Sequence, residues 1–181
     1  MFRERYSMSF VKVGFIIGFL CLTACGFQPI YYTPEGDTSV QSLTAQIRIL
    51  PVPEETGRLM VQTLKNTLNP ENISVPKTYD LAVQLSKHVN TDQGILNDNT
   101  STRATMTMTA SYMLRDKDGR TVISDSTFAM GSYNILTVPY STVTAEQATE
   151  RRLIKILAEK ISLRMANYFK TKTDEAEKSA N

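Results

Sequence analysis

From Thr102 to Arg115 the chain alternates over an unusually long stretch, and that alternation is the feature that most limits what it can fold into. Ala104, Met106, Met108, Ala110, Tyr112 and Leu114 point one way, while Arg103, Thr105, Thr107, Thr109, Ser111 and Arg115 point the other. A period of two over this length is a strand with one face in a core. Asp118-Gly119 follows, a strong hairpin signal, and Thr121 to Met130 is expected to return as the next strand, with Val122, Phe128 and Met130 as its inward set. Tyr79 to Val89 also alternates: Tyr79, Leu81, Val83, Leu85 and Val89 share one face, with Asp80, Gln84, Ser86 and His88 on the other. Asn90 to Asn99 between them is rich in turn formers.

Helices flank this block. Met60, Leu64 and Leu68 recur every four residues within Glu54 to Asn69, with Val61 beside them, and predict a helix with one apolar face. Glu54 and Glu55 suit the positive end of its dipole, and Asn69-Pro70 is a stop signal. Gly57 weakens its first turn. Ile47, Ile49 and Val52 predict a short strand ahead of it. Gly131 to Val143 reads as a loop. Thr144 and Gln147 fit a capping box that opens a second helix running to about Phe169, striped by Ile154, Leu157, Ala158, Ile161, Met165 and Tyr168. Thr171 to Asn181 is charged and reads as a disordered tail. The order strand, helix, three strands, helix predicts an α+β two-layer sandwich: a mixed sheet of about four strands with both helices on one face.

The N-terminus fixes the compartment. Arg3, Arg5 and Lys12 precede the apolar run Val13 to Leu22, which is too short for a bilayer core needing ~20 apolar residues and fits a signal peptide. Leu22-Thr23-Ala24-Cys25 follows as a lipobox. Residues 1–24 are therefore expected to be cleaved, Cys25 to carry acyl chains, and 25–46 to be a tether ahead of a periplasmic domain at 47–170. Gly26 after the cysteine, where an aspartate would favour the inner membrane, points to the outer membrane. The chain has 20 Lys plus Arg against 18 Asp plus Glu, and three of those bases leave with the leader, so charge gives no argument for nucleic acid. Cys21 also leaves and Cys25 is lipidated, so no thiol remains to form a disulfide or hold a metal.

No nucleophile has a base beside it, and no phosphate-cradling, nucleophile-elbow or zinc-protease motif occurs. His88 reads as a surface residue on a polar strand face. No catalytic residue, metal site or cofactor is expected. The Thr-rich face is the unusual feature. Hydration is the ordinary fate of one side of an antiparallel sheet. The sharper reading is a face that meets a polar, hydrated partner surface, such as the lumen of an outer-membrane barrel. Arg151, Arg152, Lys155 and Lys160 read as the solvated side of the last helix, with anionic lipid phosphate as the alternative.

Leu22 to Tyr31, reading Leu-Thr-Ala-Cys-Gly-Phe-Gln-Pro-Ile-Tyr, resembles the start of the lipopolysaccharide-assembly lipoproteins of the LptE type in their alphaproteobacterial form. Ser132-Tyr133-Asn134, Pro139-Tyr140-Ser141-Thr142 and Ala145-Glu146-Gln147-Ala148, leading into a helix ending Ala166-Asn167-Tyr168-Phe169, are similar as well. The resemblance implies a non-enzymatic outer-membrane lipoprotein that plugs the β-barrel LptD, helps it assemble and supports lipopolysaccharide delivery. It also implies a sheet of four strands with two helices on it. Basic residues contact lipopolysaccharide in some members. Gly131 to Glu150 holds no lysine or arginine here, so Arg103 and Arg151 stand in, with Tyr133, Asn134 and Tyr140 as further contacts to lipid or partner. The competing readings are an auxiliary lipoprotein of an ABC- or MCE-type phospholipid transporter, and a periplasmic enzyme.

Overall fold

A computed structural model describes residues 40–92, 103–135 and 139–180; the signal segment, Cys25 and the aromatic residues Phe27 to Tyr32 lie outside the described residues. The described elements run α1 (Val40–Ala45), β1 (Ile47–Ile49), α2 (Glu54–Leu68), β2 (Tyr79–Asp92), β3 (Arg103–Arg115), β4 (Thr121–Asn134) and α3 (Pro139–Ala180). The four strands lie in the order β1-β2-β3-β4. β1 runs parallel to β2, and β2, β3 and β4 form an antiparallel meander. This is the expected mixed sheet with helices packed on one face.

The alternation in β3 decides which face that is. Ala104, Met106, Met108, Ala110, Tyr112 and Leu114 are all buried. All but Ala104 meet Met60, Leu64 and Leu68 of α2 and Leu153, Ile154, Leu157, Ala158, Ile161, Met165 and Phe169 of α3 in one core. The stripes read from sequence are therefore the packed faces. Complete burial of a side chain such as Leu64 stabilises the fold by about 1.5–3 kcal/mol before conformational entropy is counted. At the far end of α3, Phe169 stands edge-on to Tyr79, with ring centroids 5.1 Å apart.

Local chemistry fixes the turns. In the β3–β4 hairpin the Asp116 carboxylate accepts from the backbone N–H groups of Asp118 and Arg120, each at 2.9 Å. Gly119 takes the left-handed φ of 77° that the turn needs. α2 carries Glu54 and Glu55 in its first turn and Lys65 in its last, which complements its dipole. Beyond it, the Asn69 side chain accepts from the Ile73 N–H at 2.8 Å and donates to the Ile73 carbonyl at 3.0 Å, closing the turn around Pro70.

Five local expectations are corrected. Of the inward set expected in β4, Val122 does pack, half-buried, against the core, but the buried residues are Ile123 and Ala129, and Phe128 and Met130 are 59% and 61% exposed on the other face. An irregularity pairs Leu114 with Ile123 but Arg115 with Thr121, leaving Val122 opposite no single partner. One extra residue in a strand reverses the facing of all that follow. The loop expected over Gly131 to Val143 is mostly regular structure: β4 continues to Asn134, and α3 begins at Pro139, a residue suited to a first helical position. Thr144 is consequently no cap; its hydroxyl donates to the Tyr140 carbonyl one turn back, at 3.0 Å. The stretch read as a disordered tail is helical to Ala180, where Asp174 precedes Lys178 by the favourable four residues. The segment read as tether contains α1, whose Thr44 and Ala45 are buried. Lys77 donates to the Ala45 carbonyl at the end of that helix, at 2.5 Å.

Candidate functional site

The face of the sheet away from the helices is built by strand register. Ser86, Thr109 and Phe128 stand side by side across β2, β3 and β4. So do His88, Thr107 and Met130, then Asn90, Thr105 and Ser132, and in the other direction Gln84, Ser111 and Ser126. The Thr105 and Ser132 hydroxyls lie 3.3 Å apart. Apart from His88 these rows hold no ionisable side chain. The face is a field of hydroxyls and amides with Phe128 and Met130 standing out of it. Charge returns at one end, where Arg48 grips Asp80 through two bonds of 2.6 and 2.7 Å and Arg115 pairs with Asp80 in register. The Arg48 guanidinium, its hydrogen bonds first, holds the Asp80 carboxyl below the usual range.

A second feature lies on the helix side. A cleft of about 580 Å³ runs between α2 and α3, lined by Thr56, Arg58 and Gln62 on one wall, Gln147, Glu150 and Arg151 on the other, and Lys87 of β2 at its base. Glu150 accepts from the Thr56 hydroxyl and from Lys87 Nζ at 3.1 Å; Glu146 lies 3.7 Å from the same amine. Burial pushes the Glu150 carboxyl up, but the bonds from Thr56 and Lys87 and the charge of Lys87 together pull it below its ordinary value. Lys87 is raised, first by its bond to Glu150.

The residues singled out from sequence fall in three places. Arg103 and Asn134 are direct neighbours across β3 and β4, both exposed at the end of the hydroxyl face. Tyr133, one residue earlier, turns to the helix side, half-buried against the core; burial, then the nearby Glu146, pushes its hydroxyl pKa up. Tyr140 is 80% exposed in the first turn of α3. Arg151 is exposed at the mouth of the helix cleft, opposite Arg58. The fold thus joins Arg103 to Asn134 but separates them from Arg151 by the thickness of the sheet. Cys25 is outside the described residues. Sequence reading missed Thr56, Arg58 and Lys87 as parts of one site. Thr56 and Lys87 reach Glu150 from 94 and 63 residues away, Arg58 lines the same cleft, and no local pattern encodes such a meeting. Among the described residues no group of His, Cys, Asp and Glu could hold a metal ion, and no helix is long and apolar enough to cross a membrane.

Comparison with known proteins agrees with this architecture. No curated protein matches the sequence significantly. Among solved structures, a lipoprotein of Caulobacter crescentus is 25% identical, with a TM-score of 0.59 over 74% of this chain and 96% of its own. A minor lipoprotein of Acinetobacter baumannii is 19% identical, with a TM-score of 0.50 over 67% of this chain and 91% of its own, and shares the fold. The family model described as LptE, lipopolysaccharide-assembly, matches residues 40–165, a span that opens at α1 and takes in all four strands and most of α3. The chain belongs to the LptE family of lipopolysaccharide-assembly proteins.

Proposed function

We propose that this protein is tethered to the periplasmic face of the outer membrane by acyl chains on Cys25 and seats the hydroxyl face of its sheet in the lumen of an LptD-type β-barrel, plugging it and helping it assemble. The observation that carries the reading is the rows from Gln84–Ser111–Ser126 to Asn90–Thr105–Ser132, a broad β-surface without fixed charge. Lumen-facing residues of outer-membrane barrels are polar. A hydroxyl surface can exchange its hydration for such a wall without stranding a buried charge. Phe128 and Met130 supply apolar anchors of residue types enriched at interfaces. The role is one of binding and assembly rather than catalysis. Lipopolysaccharide contact belongs to the arginines: Arg151 with Arg58 at the helix cleft, and Arg103 beside Asn134 at the sheet end, with Tyr133 and Tyr140 nearby in sequence.

The test is a gentle-detergent pull-down of tagged protein at native level from its own outer membrane. Wild-type protein is expected to bring down a large β-barrel in near-equal amount, and Thr107→Glu, which puts a carboxylate in the middle of the face, is expected to lose it while remaining folded. Equal recovery from both would remove this face from the interface. Recovery of transporter subunits instead would assign the protein to phospholipid transport.

A further inference from the structure

We propose that Lys160 and Asp125 close the free edge of β4 and so prevent a second copy of this chain from pairing with it. β4 is the last strand of the sheet and 14 residues long, and a long edge strand is a template for another strand. Its central segment is an unusually apt one. Ser126-Thr127-Phe128-Ala129-Met130-Gly131-Ser132 carries no charge and no proline, the signature of segments that pair with themselves. Phe128 and Met130 are both more than half exposed on it. Two antiparallel copies of this segment would bring their own Phe128 and Met130 side chains together, so the partner best matched to the edge is the same strand from another molecule.

Two side chains occupy backbone groups of that segment. Lys160 reaches from α3 to donate its amine to the Phe128 carbonyl at 2.7 Å, and the same amine lies over the Phe128 ring, 5.5 Å from its centroid. Asp125 accepts from the Ser126 N–H at 2.8 Å, and its second oxygen faces Arg164 of α3 at 3.5 Å. Ser126 and Phe128 are two apart, so their backbone groups point the same way, and one acceptor and one donor are blocked at neighbouring sites. An incoming strand would have to displace both and would meet a lysine charge at the edge. At the opposite side of the sheet β2 is flanked over Tyr79–Leu81 by β1 and over Val83–Lys87, across a cleft, by the chain from Val52 to Gly57, so β4 presents the longer edge to approach.

The experiment uses full-length lipoprotein purified in detergent without a barrel partner. The chain's two cysteines are Cys21 and Cys25, so Ser126→Cys adds one reactive thiol on the strand and leaves its backbone N–H in place. Bis-maleimide crosslinking then reads β4–β4 proximity. Adding Lys160→Met is expected to raise the crosslinked dimer several-fold over Ser126→Cys alone, and adding Lys160→Arg, which keeps a donor and a charge, is expected to leave it low. Lys160 is exposed, so the methionine variant keeps the fold, with resistance to limited proteolysis as the control. Abundant dimer in the Ser126→Cys parent, or no rise with Lys160→Met, would overturn the proposal.

Discussion

Lys87 of β2 lies 3.1 Å from Glu150 of α3, and the same carboxylate accepts from Thr56 of α2, so one side chain ties both helices to the sheet. The sign of its pH dependence follows from its surroundings. Burial raises the Glu150 carboxyl, but its two hydrogen bonds and the Lys87 charge lower it further. A group whose folded pKa is depressed contributes stability above its unfolded value and loses it as pH falls through the folded one. Lys87 is shifted up by the same carboxylate, so the pair's contribution is lost in strong alkali as the lysine deprotonates and in acid as Glu150 protonates. Wild-type Tm should therefore drop in the acid range, below about pH 4, with a component that is missing in Glu150→Gln. Thermal melts of the two proteins that run parallel from neutral to acid would show that Glu150 does not couple to folding.

Two glycines should respond differently to alanine. A Cβ on Gly57 would sit 2.6 Å from Val52 Cγ1 and 2.8 Å from the Val52 carbonyl oxygen. That backbone cannot move aside, so Gly57→Ala should cost about 1–3 kcal/mol in denaturant unfolding. A Cβ on Gly131 would meet only side chains, the flexible end of Arg152 at 2.9 Å and then Thr149 Cγ2 at 3.2 Å and Leu153 Cδ2 at 3.3 Å, which need shift by only tenths of an ångström, so Gly131→Ala should cost clearly less than Gly57→Ala. Equal losses at the two sites would contradict the packing described.

Phe169 joins the long helix to the start of β2 through its edge-on contact with Tyr79 and is fully buried. Truncation to alanine leaves a cavity between two elements that hold each other. Phe169→Ala should cost about 3–5 kcal/mol, and Phe169→Leu clearly less. Urea unfolding at constant m-value distinguishes this from a change in the unfolded state.

The parity of β4 gives a direct comparison. Met130→Ser is on the exposed face and should change stability by no more than about 0.5 kcal/mol. Ile123→Ser puts a hydroxyl among Leu114 and its neighbours and should cost several times as much. The reverse ranking would restore the facing expected from sequence.

That facing marks where sequence reading stops. β3 was legible because every one of its inward positions is buried and apolar and every outward one but Met113 is polar, so either half of the pattern gives the answer. β4 offers no such contrast. Its largest apolar residues, Phe128 and Met130, lie on the outer face, and the irregularity beside Arg115 that puts them there is set by pairing with another strand. The stripes of α2 and α3 were legible, since helical periodicity needs only one chain segment. The ends of α3 were not: Pro139 and the charged stretch after Phe169 are compatible with loop or helix, and contacts such as Lys172 with the Tyr79 hydroxyl at 2.9 Å come from 93 residues away. The hydroxyl face could be named from sequence as half of an alternation. The cleft joining Thr56, Lys87 and Glu150 could not.

Arg58 and Arg151 face the same cleft from two helices, with Glu150 already engaged by Lys87 and Thr56. Guanidinium groups bind phosphate through paired donors, so the two together should hold an anionic lipid head better than either alone. Arg58→Glu with Arg151→Glu should lower the amount of lipopolysaccharide retained by the purified protein several-fold. The loss should shrink as salt is added, because exposed charges are screened. Both residues lie on the helix side, away from the hydroxyl face, so recovery of the barrel partner should be unchanged. Quantifying lipid and barrel in one preparation separates the two roles: loss of lipid alone assigns the cleft to lipopolysaccharide, joint loss makes it part of the barrel interface, and retention of both removes it from either.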